Sequence, residues 1–296
     1  MKSYNILFLL LSLIALSSCG EDFFNQVVDI DIPEHEPLLA VSGHFRAQDT
    51  TLTVFVSRSA GILDPVNFDT LEVAGATVEV LKDGEAFQTL PNVGSGYFRL
   101  NLEDQLGAGL HTYSLEVRAP GYGEAKAWQT MPAPVPIQDA VYEAEGGIDP
   151  DGNKVNTLSV EFEDPAGNDN YYFLEAFVTV TDTFFGDWEY TIYLESEDVL
   201  VEYQDRGLLF RDGPIDGKQY ALKAYFFDNI HLRPDAQLTV RLHSISRDRY
   251  LFLRTLDLYS NAQDNPFAEP VVVHNNVEGG VGIFSVEAAD AFLISF

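Results

Sequence analysis

From residue 38 onward the chain alternates between apolar and polar positions. In Thr51 to Ser57, Leu52, Val54 and Val56 alternate with Thr51, Thr53, Phe55 and Ser57, a period of two that turns one side of an extended strand to a core and the other to solvent. The same period returns in Val78/Val80, in Phe98/Leu100/Leu102, and in Tyr113/Leu115/Val117. Turn residues separate these runs: Lys82-Asp83-Gly84, Gly94-Ser95-Gly96, Gly107-Ala108-Gly109 and Pro120-Gly121-Tyr122-Gly123. The pattern predicts strands over Leu38–Arg46, Thr51–Arg58, Thr77–Lys82, Ala86–Leu90, Gly96–Leu102, His111–Ala119 and Glu124–Thr130.

The alternate prolines of Met131-Pro132-Ala133-Pro134-Val135-Pro136 suit neither a central strand nor a helix, and they set a domain boundary at 131–136. Beyond it, residues 137–296 are again strand-like, over Ala140–Glu145, around Leu158/Val160/Phe162, and in Tyr171–Thr181, Trp188–Leu194, Gln219–Phe227 and Gln237–Ile245, with a turn from Gly146 to Asn153. One segment breaks the period. Residues 247–262 place Tyr250, Leu253, Leu256 and Leu258 near one side of a helix that Ser246 can cap and that should lid a sheet or an open edge. Two final strands are expected, Val281–Val286 and Ala291–Phe296. The fold class is mainly β: an immunoglobulin-like β-sandwich over 38–130, then a second β-sandwich-like domain over 137–296 with one amphipathic helix.

The start of the chain has a different pattern. Lys2 precedes an apolar run from Ile6 to Leu16, the length of a secretory core and too short for a bilayer of about 30 Å. The run ends in Leu16-Ser17-Ser18-Cys19, and Cys19 is the single cysteine of 296 residues. Leu-Ser-Ser-Cys resembles the lipobox at which bacterial signal peptidase cuts before a diacylated cysteine. This implies a signal peptide over 1–18, lipidation at Cys19 and a tether over 19–37. Attachment through acyl chains requires more than one of them, at about 0.8 kcal/mol per buried methylene. Glu21 and Asp22 stand where some bacteria place an acidic cell-surface export signal.

Charge narrows the partners. With 46 acidic residues against 17 basic ones, the net charge is −29, a field that repels phosphate backbones and anionic lipid, so nucleic acid is excluded and the lipid must hold the chain to the membrane. With Cys19 lipidated, no thiol remains for a disulfide, and stability has to come from burial.

Candidate chemistry is sparse. His35, His44, His111, His231, His243 and His274 never stand at the spacing of a local zinc site. Nucleophile elbow, Walker loop and dinucleotide fingerprint are all missing from the sequence, so no catalytic residue and no cofactor is assigned. Two acidic turns, Asp149-Pro150-Asp151-Gly152-Asn153 and Asp164 with Asn168-Asp169-Asn170, offer the oxygen ligands that calcium takes, yet lack the EF-hand order, and a plain Asp/Asn/Gly turn is the commoner use. Trp128 and Trp188 suit sugar stacking or sheet packing.

Two resemblances follow from these residues. Gly75-Ala76-Thr77-Val78, Gly96-Tyr97-Phe98 and Ala119-Pro120-Gly121-Tyr122 resemble the carboxypeptidase-regulatory and transthyretin-like sandwiches of bacterial surface proteins. Asn265-Pro266-Phe267-Ala268-Glu269-Pro270 with Asn275-Asn276-Val277-Glu278-Gly279-Gly280-Val281-Gly282-Ile283-Phe284 resembles the C-terminal signature of a family of Bacteroidota-type lipoproteins known as a domain of unknown function, number four-two-four-nine. Asp164-Pro165-Ala166-Gly167 leading to Asn170-Tyr171-Tyr172, the helix from Ser244 to Tyr259, and Ile30-Asp31-Ile32-Pro33 extend the similarity over the whole mature chain. The resemblance implies a lipid-anchored outer-membrane lipoprotein with no agreed catalytic residues, often encoded beside a TonB-dependent transporter. The signature also has a reading from its residues: Gly279, Gly280 and Gly282 for positive φ and close backbone approach, and Asn275 for main-chain bonds in the loop, with contact to a ligand as the alternative.

The expected function is therefore a non-enzymatic envelope lipoprotein, an accessory ligand-capture or partner protein of a TonB-dependent transporter, with the cell surface favoured over the periplasmic face. An adhesive module binding another protein and a surface hydrolase are the alternatives. The sequence leaves the ligand and the oligomeric state open.

Overall fold

A computed structural model of the protein describes residues 35–61, 64, 71–182, 186–204, 206–230, 236–263 and 267–294. The expected signal peptide over 1–18, the expected lipidation site Cys19 and most of the expected tether over 19–37 lie outside the described residues. Residues 37–296 form one compact unit, and no helix among the described residues is long and apolar enough to cross a membrane.

The chain is mainly β, as its two-residue period requires. Strands β1 (Leu39–Arg46), β2 (Thr51–Arg58), β3 (Thr77–Lys82), β4 (Glu85–Leu90), β5 (Asn92–Gly94), β6 (Tyr97–Asn101), β7 (Thr112–Ala119) and β8 (Gly123–Thr130) precede the proline segment. After it come β9 (Ile137–Ile148), β10 (Lys154–Glu163), β11 (Tyr171–Asp182), β12 (Gly186–Ile192), β13 (Val201–Gln204), β14 (Gly207–Arg211), β15 (Gln219–Phe226) and β16 (Ala236–Ile245), then helix α1 (Arg247–Gln263) and β17 (Gly280–Ile294). They make three sheets: a ten-stranded one in the order β13-β14-β11-β16-β17-β1-β2-β6-β5 with β12 on β11, a four-stranded one, β4-β3-β7-β8, and a three-stranded one, β15-β10-β9.

The last strand joins the parts. The first half of β17 runs parallel to β1, from Leu39 opposite Gly280 to Arg46 opposite Glu287. Its second half runs antiparallel to β16, from Ile245 opposite Glu287 to Leu238 opposite Ile294. One hydrophobic cluster, with Leu52, Val54, Val78 and Leu115, takes in Phe284, Val286 and Ala288 of β17. The other, with Phe162, Tyr172, Phe210 and Val240, has Phe292 and Ile294 packed against it. Burying a side chain of this size contributes about 1.5–3 kcal/mol. Residues 131–136 carry no strand and run between the clusters, with Met131 buried in the first and Val135 in the second.

Four expectations need correction. The two C-terminal strands are one, because Glu287, which reads as a break in the apolar pattern, is buried and paired with histidine, and Ala288 and Ala289 carry the strand through. Strands β5, β13 and β14 were not anticipated: β5 has three residues, and Leu208-Leu209-Phe210 in β14 is a continuous buried run with no alternation to read. Strand β9 continues through Gly146 and Gly147, so the turn shrinks to the residues after Ile148. Finally, only the first half of α1 lies on a sheet. Tyr250 is buried against Leu209 and Ile245 with Leu251 and Leu253 beside it, whereas Leu256 and Leu258 are 39% and 48% exposed. Ser246 does cap the helix, its Oγ accepting the Arg249 N–H at 3.3 Å.

Candidate functional site

The C-terminal signature is a clamp at the entry to β17. Asn276 acts as a side-chain peptide group: its Oδ1 accepts the Phe284 N–H at 2.9 Å and its Nδ2 donates to the Phe284 carbonyl at 2.7 Å. Asn275 Oδ1 accepts from the N–H groups of Val277 at 3.1 Å and Gly282 at 2.9 Å. A Cβ on Gly282, at φ +128°, would stand 1.9 Å from the Val41 carbonyl oxygen, and one on Gly279, at φ +74°, 2.3 Å from that of Glu124. The glycines thus serve close approach and positive φ, as their spacing suggests, and Gly280 serves close approach alone. Asp248 of α1 ties this loop to β8 by accepting bonds from His274 Nε2 at 2.7 Å, Asn276 Nδ2 at 3.2 Å and Gln129 Nε2. Burial would raise the Asp248 carboxyl, but these donors outweigh it and hold it below its ordinary range.

Among the described residues, His44 and His243 meet in space. On the α1-covered face of the large sheet, His243 is bonded at both nitrogens, Nε2 to Glu175 at 2.8 Å and Nδ1 to Glu287 at 2.9 Å. The other Glu287 oxygen is 3.1 Å from His44 Nε2, and His44 Nδ1 lies 2.8 Å from Ser285 Oγ. Burial disfavours charge on His243, yet the two carboxylates outweigh it and raise its pKa. Burial likewise pushes the Glu287 carboxyl up, and the bonds from His243 and His44 overcome that to hold it far below the carboxylate range. Arg241 completes the chain 3.6 Å from Glu175, its guanidinium 4.4 Å over the Phe177 ring. Ser285, His44 and Glu287 have the bonding order of a nucleophile, base and acid, but Ser285 is fully buried, so its hydroxyl meets no substrate in this conformation. Elsewhere His111 pairs with Asp83 at the surface, and His231 lies outside the described residues.

The acidic turns are built from the inside. Asp149 accepts from the Asn153 backbone at 2.7 Å and its side chain at 2.9 Å, which closes the turn and lowers the Asp149 pKa. Asp164 joins not Asp169 but Asp212 and Asp216, with one oxygen of each within 4.8 Å of the others. Such a set has the hard oxygens that suit calcium. Each member is also bonded to the chain: Asp164 to Tyr172 Oη, Asn170 Nδ2 and the Gly217 N–H, Asp212 to the Asn170 N–H, and Asp216 to the Gly167 N–H. Burial first, then the charges of Asp164, Asp169 and Asp216, raise the Asp212 pKa. Trp128 and Trp188 are 53% and 45% exposed, the latter stacked on Tyr190.

A cleft of about 530 Å³ opens on the outer face of β9, β10 and β15, within the ~300–1,000 Å³ range of small-ligand sites. Its shape comes from a bulge that the sequence did not reveal. Register slips between Val155 and Thr157, and the buried Asn156 fills the gap, its Oδ1 accepting from the Glu145 N–H at 3.0 Å and its Nδ2 donating to the Asp228 carbonyl at 2.6 Å. A Cβ on Gly146 would lie 2.5 Å from Thr157 Oγ1. The opposite wall is the segment around Glu195, whose backbone exchanges bonds of 2.9 and 2.8 Å with Tyr225 of β15. Only the Gly-Gly pair and the Asn156 position could have signalled this in the sequence.

Comparison with known proteins places the chain. The family described as a domain of unknown function (DUF4249) matches residues 25–291. The chain belongs to that family. No curated protein matches it. Among solved structures, the Yersinia pseudotuberculosis adhesin InvE is similar at 17% identity over 70% of this chain, with a TM-score of 0.22, and the chain spans 55% of that protein's length. Within the matched residues, the loop from His274 to Gly282 is the clamp that seats β17 beside β1.

Proposed function

We propose that this DUF4249 chain is a non-enzymatic lipoprotein, anchored to the outer membrane through Cys19 and facing the cell surface, that captures a ligand for a TonB-dependent transporter or hands it over. The observation that carries the reading is the leader: Lys2, the apolar run from Ile6 to Leu16, and the chain's single cysteine at the cleavage point of Leu16-Ser17-Ser18-Cys19. The reading includes a finer description of the fold, in which β1, β2 and β6 face the four-stranded sheet as an immunoglobulin-like or carboxypeptidase-regulatory-like sandwich. Residues 137–296 make the second sandwich-like domain. An open cleft with polar and apolar walls supports ligand capture over an adhesive or hydrolytic role.

The test has two arms. Mass spectrometry of the native protein should find an N-terminal Cys19 carrying acyl chains, and Cys19→Ser should move the protein out of the membrane fraction. Pulldown of the lipidated protein should recover a TonB-dependent transporter, and a deletion strain should lose uptake of its ligand. A bare Cys19 or an uncut leader removes the anchor; no transporter and unchanged uptake remove the partner.

A further inference from the structure

The cleft on β9, β10 and β15 is distinguished by what its side chains do not do. Among the described residues, the carboxylates of Glu143 and Glu197, the ammonium of Lys223 and the hydroxyls of Thr157 and Ser159 all line it, and none of these side chains has an ion pair or hydrogen bond. The ladder fixes their order. Thr157 stands between Glu143 on β9 and Tyr225 on β15, and Ser159 between Val141 and Lys223. An acid on one outer strand and a base on the other therefore flank two short hydroxyls on the middle strand. Adjacent strands are about 4.8 Å apart and the two positions are offset by two residues, about 6.8 Å, along the strands, so the two charges arise from backbone positions roughly 12 Å apart, and side chains reaching inward shorten that gap. Apolar contact is offered by Val141 and Ile148, which are 47% and 72% exposed, and by Val155.

We propose that this cleft binds a zwitterionic ligand with an apolar side chain, that is, an amino acid or a short peptide with both termini free. The ligand's ammonium pairs with Glu143, its carboxylate pairs with Lys223 and takes hydroxyl bonds from Thr157 and Ser159, and its side chain lies on Val141 and Ile148. Charges of both signs across one trough match a zwitterion; a neutral sugar would leave both unpaired, and a simple anion would meet two carboxylates. Two extended residues span about 7 Å, which suits the gap. The inference rests on the ligand-capture reading and names the class of ligand.

The probe is leucyl-leucine, titrated calorimetrically into the purified full chain, beside N-acetyl-leucyl-leucine, leucyl-leucinamide and maltose. Saturable binding of the free dipeptide is expected, weakened tenfold or more by capping either end. Glu143→Gln should weaken the free dipeptide tenfold and abolish the penalty for acetylation, and Lys223→Gln should do the same for amidation, at unchanged melting temperature. No saturable binding at millimolar dipeptide, indifference to both caps, or binding of maltose in its place overturns the proposal. Dipeptide binding without a co-purifying transporter removes the partner reading alone; a transporter without dipeptide binding removes this inference alone.

Discussion

Two faces of this molecule carry charged residues on neighbouring strands and treat them in opposite ways. Under α1, His243, Glu175, Glu287, His44 and Ser285 form a continuous chain of bonds between 2.8 and 3.1 Å. On the outer face of β9, β10 and β15, Glu143, Glu197 and Lys223 line one trough and pair with nothing among the described residues. Burial makes the difference. Charges at the first face are cut off from water and must satisfy one another or cost several kcal/mol, about, for each ion left alone, whereas those at the second are solvated and free to exchange water for a ligand. The largest expected effect follows. Glu287→Ala should cost about 3–5 kcal/mol in urea unfolding, since it takes the partner from the buried His243 Nδ1 and from His44 Nε2 and severs the tie at the residue where β17 passes from β1 to β16. A loss below about 1 kcal/mol would mean that the network holds little.

The same network sets a pH window. His243 is raised above its ordinary 6.5, so the stability it contributes is fully present below that value and is lost as pH rises through the raised pKa. Glu287 is held below its ordinary 4.5, so its contribution is present above 4.5 and is lost as pH falls toward its depressed pKa. Stability from this face should be greatest between those limits. Each pH unit by which His243 is raised is worth about 1.4 kcal/mol, and His243→Gln should remove the fall on the alkaline side. Denaturation midpoints compared from about pH 6 to about pH 9 for both proteins measure it, and parallel profiles would assign the slope to other groups.

Smaller effects test how far the sequence reading reaches. Ser246→Ala should cost about 1 kcal/mol, the ordinary worth of an N-cap, read as a shift in the urea midpoint; that cap was legible because a hydroxyl stands just before a helical period. The strands with one buried face were legible for a similar reason, and β2 and β3 fall on their expected residues. What stayed hidden depended on distant partners. Glu287 looks like the end of a strand until His44, far away in sequence, arrives beside it through the parallel β1–β17 pairing, and Asp212 is brought to Asp164 only by the fold. The cleft was hidden too, since Glu143, Thr157 and Lys223 are ordinary outward positions until the bulge of residues 144–146 opposite Asn156 shapes a wall. Asp212→Asn keeps an acceptor for the Asn170 N–H while removing a buried charge that its neighbours oppose. Measured in chelator, it should gain about 0.5 kcal/mol, the low end for relief of an unfavourable charge; a loss would show that the carboxylate itself is needed.

The smallest expected effect sharpens the comparison most. Replacing Glu143 and Lys223 together by glutamine removes two charges of opposite sign, leaves the net charge at −29 and deletes no bond among the described residues. Surface changes of this kind stay within about 0.5 kcal/mol, so the urea midpoint of the double variant should coincide with that of the parent. The same pair of changes at the buried face, Glu287→Gln with His243→Gln, removes charges of both signs as well, yet disrupts three ion pairs and should lower the midpoint plainly. If instead the Glu143/Lys223 variant is the destabilised one, those side chains carry structure through contacts with each other in solution, and the contrast between a face that binds itself and a face that waits for a ligand collapses.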